Sequence, residues 1–196
     1  MAADKWLIVG LGNPGPAYSH NRHNVGYWCV NRLARLHGIS LKARRLAAFG
    51  EGSIRGTPVL LAKPRTFVNR SGQAAASLLR NFKIKRQNML VVCDDLDLTV
   101  GSLRLKAGGG HGGQKGLRSV IGAAGGNDFP RLRIGIGRPL VDGRPSWDPE
   151  AIAAYVLSDP TPDEAKALQA AAVKGTEAVE TVLREGLEAA MNRYNR

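Results

Sequence analysis

Two histidines, His20 and His23, stand three residues apart in the stretch LIVGLGNPGPAYSHNRHNVG (residues 7–26), behind an asparagine at position 13. Farther along, the apolar run MLVVC ends in Asp94-Asp95-Leu96-Asp97, and Asn69 sits in a turn between two other elements. Histidine is the side chain best poised for proton transfer near neutral pH, and a neighbouring carboxylate can orient its ring. Asparagine supplies a neutral donor and acceptor. Where strand ends converge on one edge of a sheet, Asn13, His23, Asn69 and Asp94 can meet and form a base flanked by amides. Spacing alone leaves Asp94, Asp95 and Asp97 open as the carboxylate. A loop histidine by itself is ordinarily a surface residue; the acidic strand end is what gives His23 weight. A metal held by His20 and His23 lacks a clear third ligand.

The elements that must position these residues alternate between strand and helix. Residues 6–11 (WLIVGL) and 89–93 (MLVVC) are continuous apolar runs, as strands buried on both faces require. Asn24 is placed to cap a helix over 25–37, with Gly38 at its C-terminal end. Strands are expected at 47–55 and 58–62 around a turn at Gly56, and the Ala- and Leu-rich 71–82 reads as a helix. A strand near 102–106 leads into the glycine loop 108–113 and a helix over 117–124. The alternation in RLRIGIG (131–137) predicts a strand with one covered face. Thr161-Pro162-Asp163-Glu164 is a capping box with Pro at the first helical position, opening helical periodicity to about residue 192, with an end or kink at Gly175. The expected fold class is therefore α/β: a single domain over residues 1–196, with a mixed, mostly parallel twisted sheet covered by helices on both faces.

Gly10-Leu11-Gly12-Asn13-Pro14-Gly15 fits the dinucleotide fingerprint G-x-G-x-x-G, but its context does not. The helix should begin inside the motif so that its free N–H groups meet a pyrophosphate. Pro14 and Pro16 remove N–H groups there, and helical periodicity starts only near Val25. The acidic residue expected about 20 positions later is also missing. No G-x-x-x-x-G-K-[ST] phosphate loop occurs. The long 12–23 loop instead lies where α/β sheets place their ligands.

Charge narrows the partners. With 28 Lys and Arg against 16 Asp and Glu, the net charge of +12 favours a polyanion. The lack of a basic amphipathic helix with a strong apolar face ranks nucleic acid above a membrane surface. No apolar run approaches the roughly 20 residues of a membrane helix, and the N-terminus does not read as a signal peptide. Cys29 and Cys93 show neither metal spacing nor a disulfide framework, which favours a reducing cytosol.

Five ordered segments now carry a resemblance. GLGNPG-x-x-Y-x-x-x-R-H-N-x-G (10–26), KPRTFVNRSG (63–72), DDLDL (94–98), KAGGGHGG (106–113) and RLRIGIGRP (131–139) make the chain similar to bacterial-type peptidyl-tRNA hydrolases over nearly its whole length. The resemblance implies hydrolysis of the ester joining a peptide to the 3′-terminal ribose of tRNA, which recycles tRNA from stalled or aborted translation. It assigns His23 as general base, Asp94 as its orienting acid, Asn69 to water or the developing oxyanion, and Asn13 to the blocked amino group. Tyr18 and Phe67 match positions that meet the tRNA 3′ end, and Lys106 and Arg133 match a basic pair that clamps phosphate. His111, Gln114 and Lys115 fall at the substrate-facing glycine loop. The partner so implied is the acceptor stem and 3′ end of peptidyl-tRNA, bound by a cytoplasmic monomer without metal, cofactor or membrane.

The chain also departs from the family pattern. Gln114-Lys115-Gly116 stands where His-Asn-Gly is usual, Val68 replaces a Met beside Asn69, and Cys93 replaces a His before Asp94. Lysine cannot accept a hydrogen bond, so the contact at 115 is changed or lost, and Gln114 is the candidate to replace it. The same departure motivates a rival reading, an RNA-binding protein on this scaffold without turnover. A nucleotide-dependent oxidoreductase is a distant third.

Overall fold

The computed structural model describes residues 4–195. The run WLIVG forms β1 (Trp6–Gly10), which lies between β4 (Thr57–Pro64) and β5 (Met89–Asp95) and is parallel to both. Beyond β5 comes β7 (Arg131–Gly135), also parallel. The edges are antiparallel: β3 (Ala47–Ile54) and β2 (Lys42–Ala43) extend from β4, and β6 (Leu103–Lys106) pairs with β7. The resulting order is β2-β3-β4-β1-β5-β7-β6.

Strand pleating sends alternate residues into two cores. Ile8, Leu90 and Val92 pack on one face beneath α1 (Val25–Leu36), α5 (Pro162–Glu185) and α6 (Leu187–Tyr194), with Val156 of α4 (Pro149–Val156) at the rim. Leu7, Val9, Met89, Val91 and Cys93 face α2 (Ser71–Asn81) and α3 (Lys115–Ala124). The expected α/β architecture, with helices on both faces of a mostly parallel sheet, is what the chain adopts.

Several local expectations are corrected. Asn24 makes no capping bond to α1, because its amide is taken up by Asn13. Arg131, at the start of a strand expected to have one open face, is only 1% exposed, since the glycine loop folds over it. Gly175 does not interrupt α5; a Cβ there would meet Leu132 at 3.3 Å, so the glycine serves close packing on the sheet. The break falls instead at Gly186, with φ 90°. β2, α4 and the small hairpin of β8 (Leu140–Val141) with β9 (Arg144–Pro145) were not anticipated; each is too short to carry a periodic signal.

The glycines of the opening stretch bring helix against sheet. A Cβ on Gly26 would stand 2.5 Å from the Val92 carbonyl oxygen and 2.6 Å from that of Leu11. This close approach sets the start of α1, and the turn before it, against the C-terminal ends of β1 and β5.

Candidate active site

His23 lies in a 3-10 turn (Arg22–Asn24) immediately before α1, and its two neighbours anchor it. The buried Arg22 guanidinium donates through Nη1 to Ser158 Oγ at 2.6 Å and the Asp159 carbonyl at 2.9 Å. Its Nη2 meets Glu164 Oε2 at 2.5 Å, and the group lies over the Tyr155 ring. On the other side, Asn24 Oδ1 accepts from the Asn13 backbone N–H at 2.8 Å, while Asn24 Nδ2 donates to the Asn13 carbonyl at 2.9 Å. Asn13 in turn accepts from the Val68 N–H through Oδ1 at 2.8 Å. One chain of amides thus ties the end of β1 to the histidine turn and to the turn carrying Asn69.

The pleat of β5 answers the question left open by three acids in four residues. Asp94 follows Val92 on the face that α1 covers, and its Oδ2 lies 2.8 Å from His23 Nδ1. Asp95 shares the opposite face with Cys93 and pairs with Arg133, the cross-strand neighbour of Cys93. Asp97 pairs with Arg138 at 2.7 Å. With Nδ1 engaged, Nε2 is the ring nitrogen left to the open cleft that His23 lines.

That cleft, of about 530 Å³, gathers Asn13, His23, Phe67, Asn69, Asp94, His111, Gln114, Lys115 and Arg133. Among the described residues the exposed Asn69 side chain has no hydrogen-bond partner, so its whole amide is available. Asn13 retains its Nδ2 donor. Tyr18 meets Phe67 edge to face, with centroids 6.3 Å apart, and Phe67 is 58% exposed at the rim. Exposed Trp147, stacked under Arg138, and Ile152 and Val156 of α4 form the apolar opposite wall. Val68 and Cys93 add further apolar lining.

Other expected residues lie apart or are already engaged. Lys106 is exposed on β6 outside the cleft, with buried Arg131 as its cross-strand neighbour. Arg133 is opposite Arg104 and bound to Asp95, so the basic face of this edge includes an arginine, Arg104, that sequence reasoning passed over. His111 is exposed, and its Nδ1 accepts from Gly113 N–H at 3.1 Å. Gln114, expected to touch substrate, is turned inward: Oε1 accepts from Leu117 N–H at 2.7 Å and Nε2 donates to Asp94 Oδ1 at 2.8 Å. His20 is exposed and does not line the cleft, and no cluster of three metal-ligating side chains occurs among the described residues. Nor is any helix among them long and apolar enough to cross a membrane.

Burial is the largest single influence on His23 and lowers its pKa. The charge and hydrogen bond of Asp94 together outweigh it, and the pKa stands above its ordinary 6.5 despite the opposing charge of Lys115. Burial also raises Asp95, countered by the Asp97 N–H and Arg133. The buried Cys93 thiol is pushed far up by burial, so it stays protonated and unreactive.

Asn24, Arg22 and Arg131 escaped sequence reasoning as site-building residues. The first two do flank His23 in the RHN triplet, which was a signal available in the sequence. Arg131 left only a charged residue in a strand pattern.

Known proteins match this chain closely in sequence and fold. The family profile described as peptidyl-tRNA hydrolase matches residues 7–196. A peptidyl-tRNA hydrolase of Chloroflexus aggregans is 47% identical over 194 residues, covering 97% of this chain and 98% of that protein. One from Rhodococcus jostii is 47% identical over 197 residues, with 100% of both chains covered. The crystal structure of peptidyl-tRNA hydrolase from Acinetobacter baumannii superposes with a TM-score of 0.90 at 36% identity, covering 100% of this chain and 96% of that one. With the profile spanning nearly its whole length, the chain belongs to the peptidyl-tRNA hydrolase family.

Proposed function

We propose that this chain hydrolyses the ester of peptidyl-tRNA, with His23 as general base. The observation that carries this reading is the 2.8 Å contact between His23 Nδ1 and Asp94 Oδ2, which leaves Nε2 for a water in the cleft. Nε2 takes a proton from that water as its oxygen bonds to the ester carbonyl carbon. The carbonyl π electrons move onto oxygen, and the charge develops where the unpartnered Asn69 amide can donate to it. Collapse of the adduct breaks the bond between the acyl carbon and the ribose 3′-oxygen. His23 returns its proton to that oxygen, giving free tRNA and a peptide with a free carboxyl group. Asp94 holds the ring and favours its charged form between the two transfers. The remaining Nδ2 donor of Asn13 suits the carbonyl that blocks the substrate's amino group.

Partner recognition follows from charge and exposed rings. Tyr18 and Phe67 give the 3′-terminal bases an aromatic platform at the cleft mouth. Lys106 and Arg104 give the β6–β7 edge cations for phosphate, Arg133 beside them being paired with Asp95. The enzyme is proposed to act as a cytoplasmic monomer. RNA binding without turnover is the second reading, and the Lys115 cation beside His23 favours it.

The deciding measurement is hydrolysis of an N-acetyl-aminoacyl-tRNA. Multiple turnover is expected for the unmodified chain, with a loss on the order of 10²-fold or more in His23→Ala. Undiminished hydrolysis by that variant overturns the assignment of the base, and tRNA binding without turnover by the unmodified chain establishes the second reading. Lys115→Asn, run in parallel, shows whether the lysine costs activity.

A further inference from the structure

The Gln114 side chain does two things at once. Its Oε1 caps α3 by accepting from Leu117 N–H at 2.7 Å, and its Nε2 donates to Asp94 Oδ1 at 2.8 Å. Asp94 is 3% exposed, so this carboxylate has little water to share its charge. One of its oxygens meets the histidine and the other meets the glutamine. Because the glutamine oxygen is fixed by the helix terminus, its amide nitrogen is held at a set place and angle. The amide therefore fixes the rotation of the Asp94 carboxylate, and with it the oxygen offered to His23.

We propose that Gln114 is a positioning residue of the hydrolytic site: its side-chain amide locks Asp94 and thereby sets the base strength of His23. The proposal rests on the reading of His23 as the base. A donor on the far oxygen draws electron density from the carboxylate and weakens its hold on the imidazolium. Without it, Asp94 favours the charged ring more strongly, and a larger share of His23 is protonated near neutral pH. Gln114 itself does not titrate, so it performs this service at every pH.

The other charged groups near the turn leave this role to Gln114. Among the described residues, only Asp94 of β5 and Lys115 of α3 act on the His23 charge appreciably. Asp95 is bound to Arg133 of β7, and Asp97 to Arg138. On the α4 and α5 side, Arg22 spends its charge on Glu164 and lies over Tyr155. Tyr27 of α1 donates to the Pro64 carbonyl, and His111 accepts from within its own loop.

Two variants separate the lock from the cap. Gln114→Ser keeps a favoured capping hydroxyl but cannot reach Asp94. Gln114→Glu keeps a capping oxygen and replaces the donor by a second carboxylate. The imidazole proton resonances of His23 are followed by NMR across pH, alongside the pH dependence of kcat/KM for N-acetyl-aminoacyl-tRNA. In Gln114→Ser the His23 midpoint and the acid limb of kcat/KM are expected to rise together by about 0.5 in pH. They should rise further in Gln114→Glu, with the thermal midpoint of the serine variant little changed. An unaltered His23 titration in both variants overturns the proposal, whatever happens to stability. An inactive unmodified chain whose His23 titration still responds to Gln114 would instead overturn the hydrolytic reading.

Discussion

At the scale of residues, the histidine–aspartate contact pulls stability and activity in opposite pH directions. His23 has a pKa above 6.5 in the folded chain, so the folded state binds its proton more tightly than the unfolded one. The stabilisation is complete below about pH 6.5 and is lost as pH rises through the folded value. A general base must be unprotonated, so kcat/KM rises through that same value. The acid limb of kcat/KM should therefore lie above pH 6.5, and His23→Gln should remove the matching pH dependence of unfolding by denaturant. Asp94→Asn should lower kcat by about 10²–10⁴-fold with the fold retained, since the amide neither favours the imidazolium nor enforces the tautomer. Both follow from a pair that the sequence half disclosed. Asn13, His23, Asn69 and Asp94 were recognisable by type and position, but three acids within four residues hid the partner. The resemblance singled out Asp94, and the pleat of β5, set by which core Val92 faces, supplies the physical reason that it and not Asp95 meets His23.

Elements decide whether that pair can exist. The turn bearing His23 has no regular ladder of its own and is held from outside by Arg22 and Asn24. Arg22→Met leaves Glu164 without its guanidinium and strips the side-chain donor from Ser158 Oγ and the Asp159 carbonyl. A loss of about 3 kcal/mol in unfolding free energy is expected, together with reduced kcat from a loosened His23, checked by urea denaturation and turnover of the same variant. Gly26→Ala drives a methyl into two carbonyl oxygens and should destabilise the chain by about 1–3 kcal/mol. The long strands and helices were legible because their periodicity and caps are local. The capping box of α5, for example, forms as its sequence indicates. Asn24 was not, because an asparagine before a helix looks like a cap whether its amide turns to the helix or to a loop eleven residues upstream.

On the scale of the whole molecule, the net charge of +12 makes association with tRNA salt-dependent. Raising salt from about 50 to 200 mM should lower kcat/KM while kcat at saturation changes little; Lys106→Ala and Arg104→Ala should each flatten that dependence, read from initial rates. Overall charge was plain from the sequence, but its distribution was not, since Arg133 is spent on Asp95 and Arg104 stands free beside it. The glycine loop beneath this face is held by a different device. Arg131, buried under it, donates to the carbonyls of Gly109, Gly110 and Asn127 at 2.7, 3.0 and 2.9 Å. A guanidinium that grips carbonyls does not read side chains. The path of the loop is thereby partly uncoupled from its lettering: Gly110, where a Cβ meets nothing within 4 Å, is open to rewriting, whereas Gly109, Gly112 and Gly113 hold positive φ and Gly108 abuts the Asn127 carbonyl, so a new contact with substrate can enter at that position without the loop being refolded.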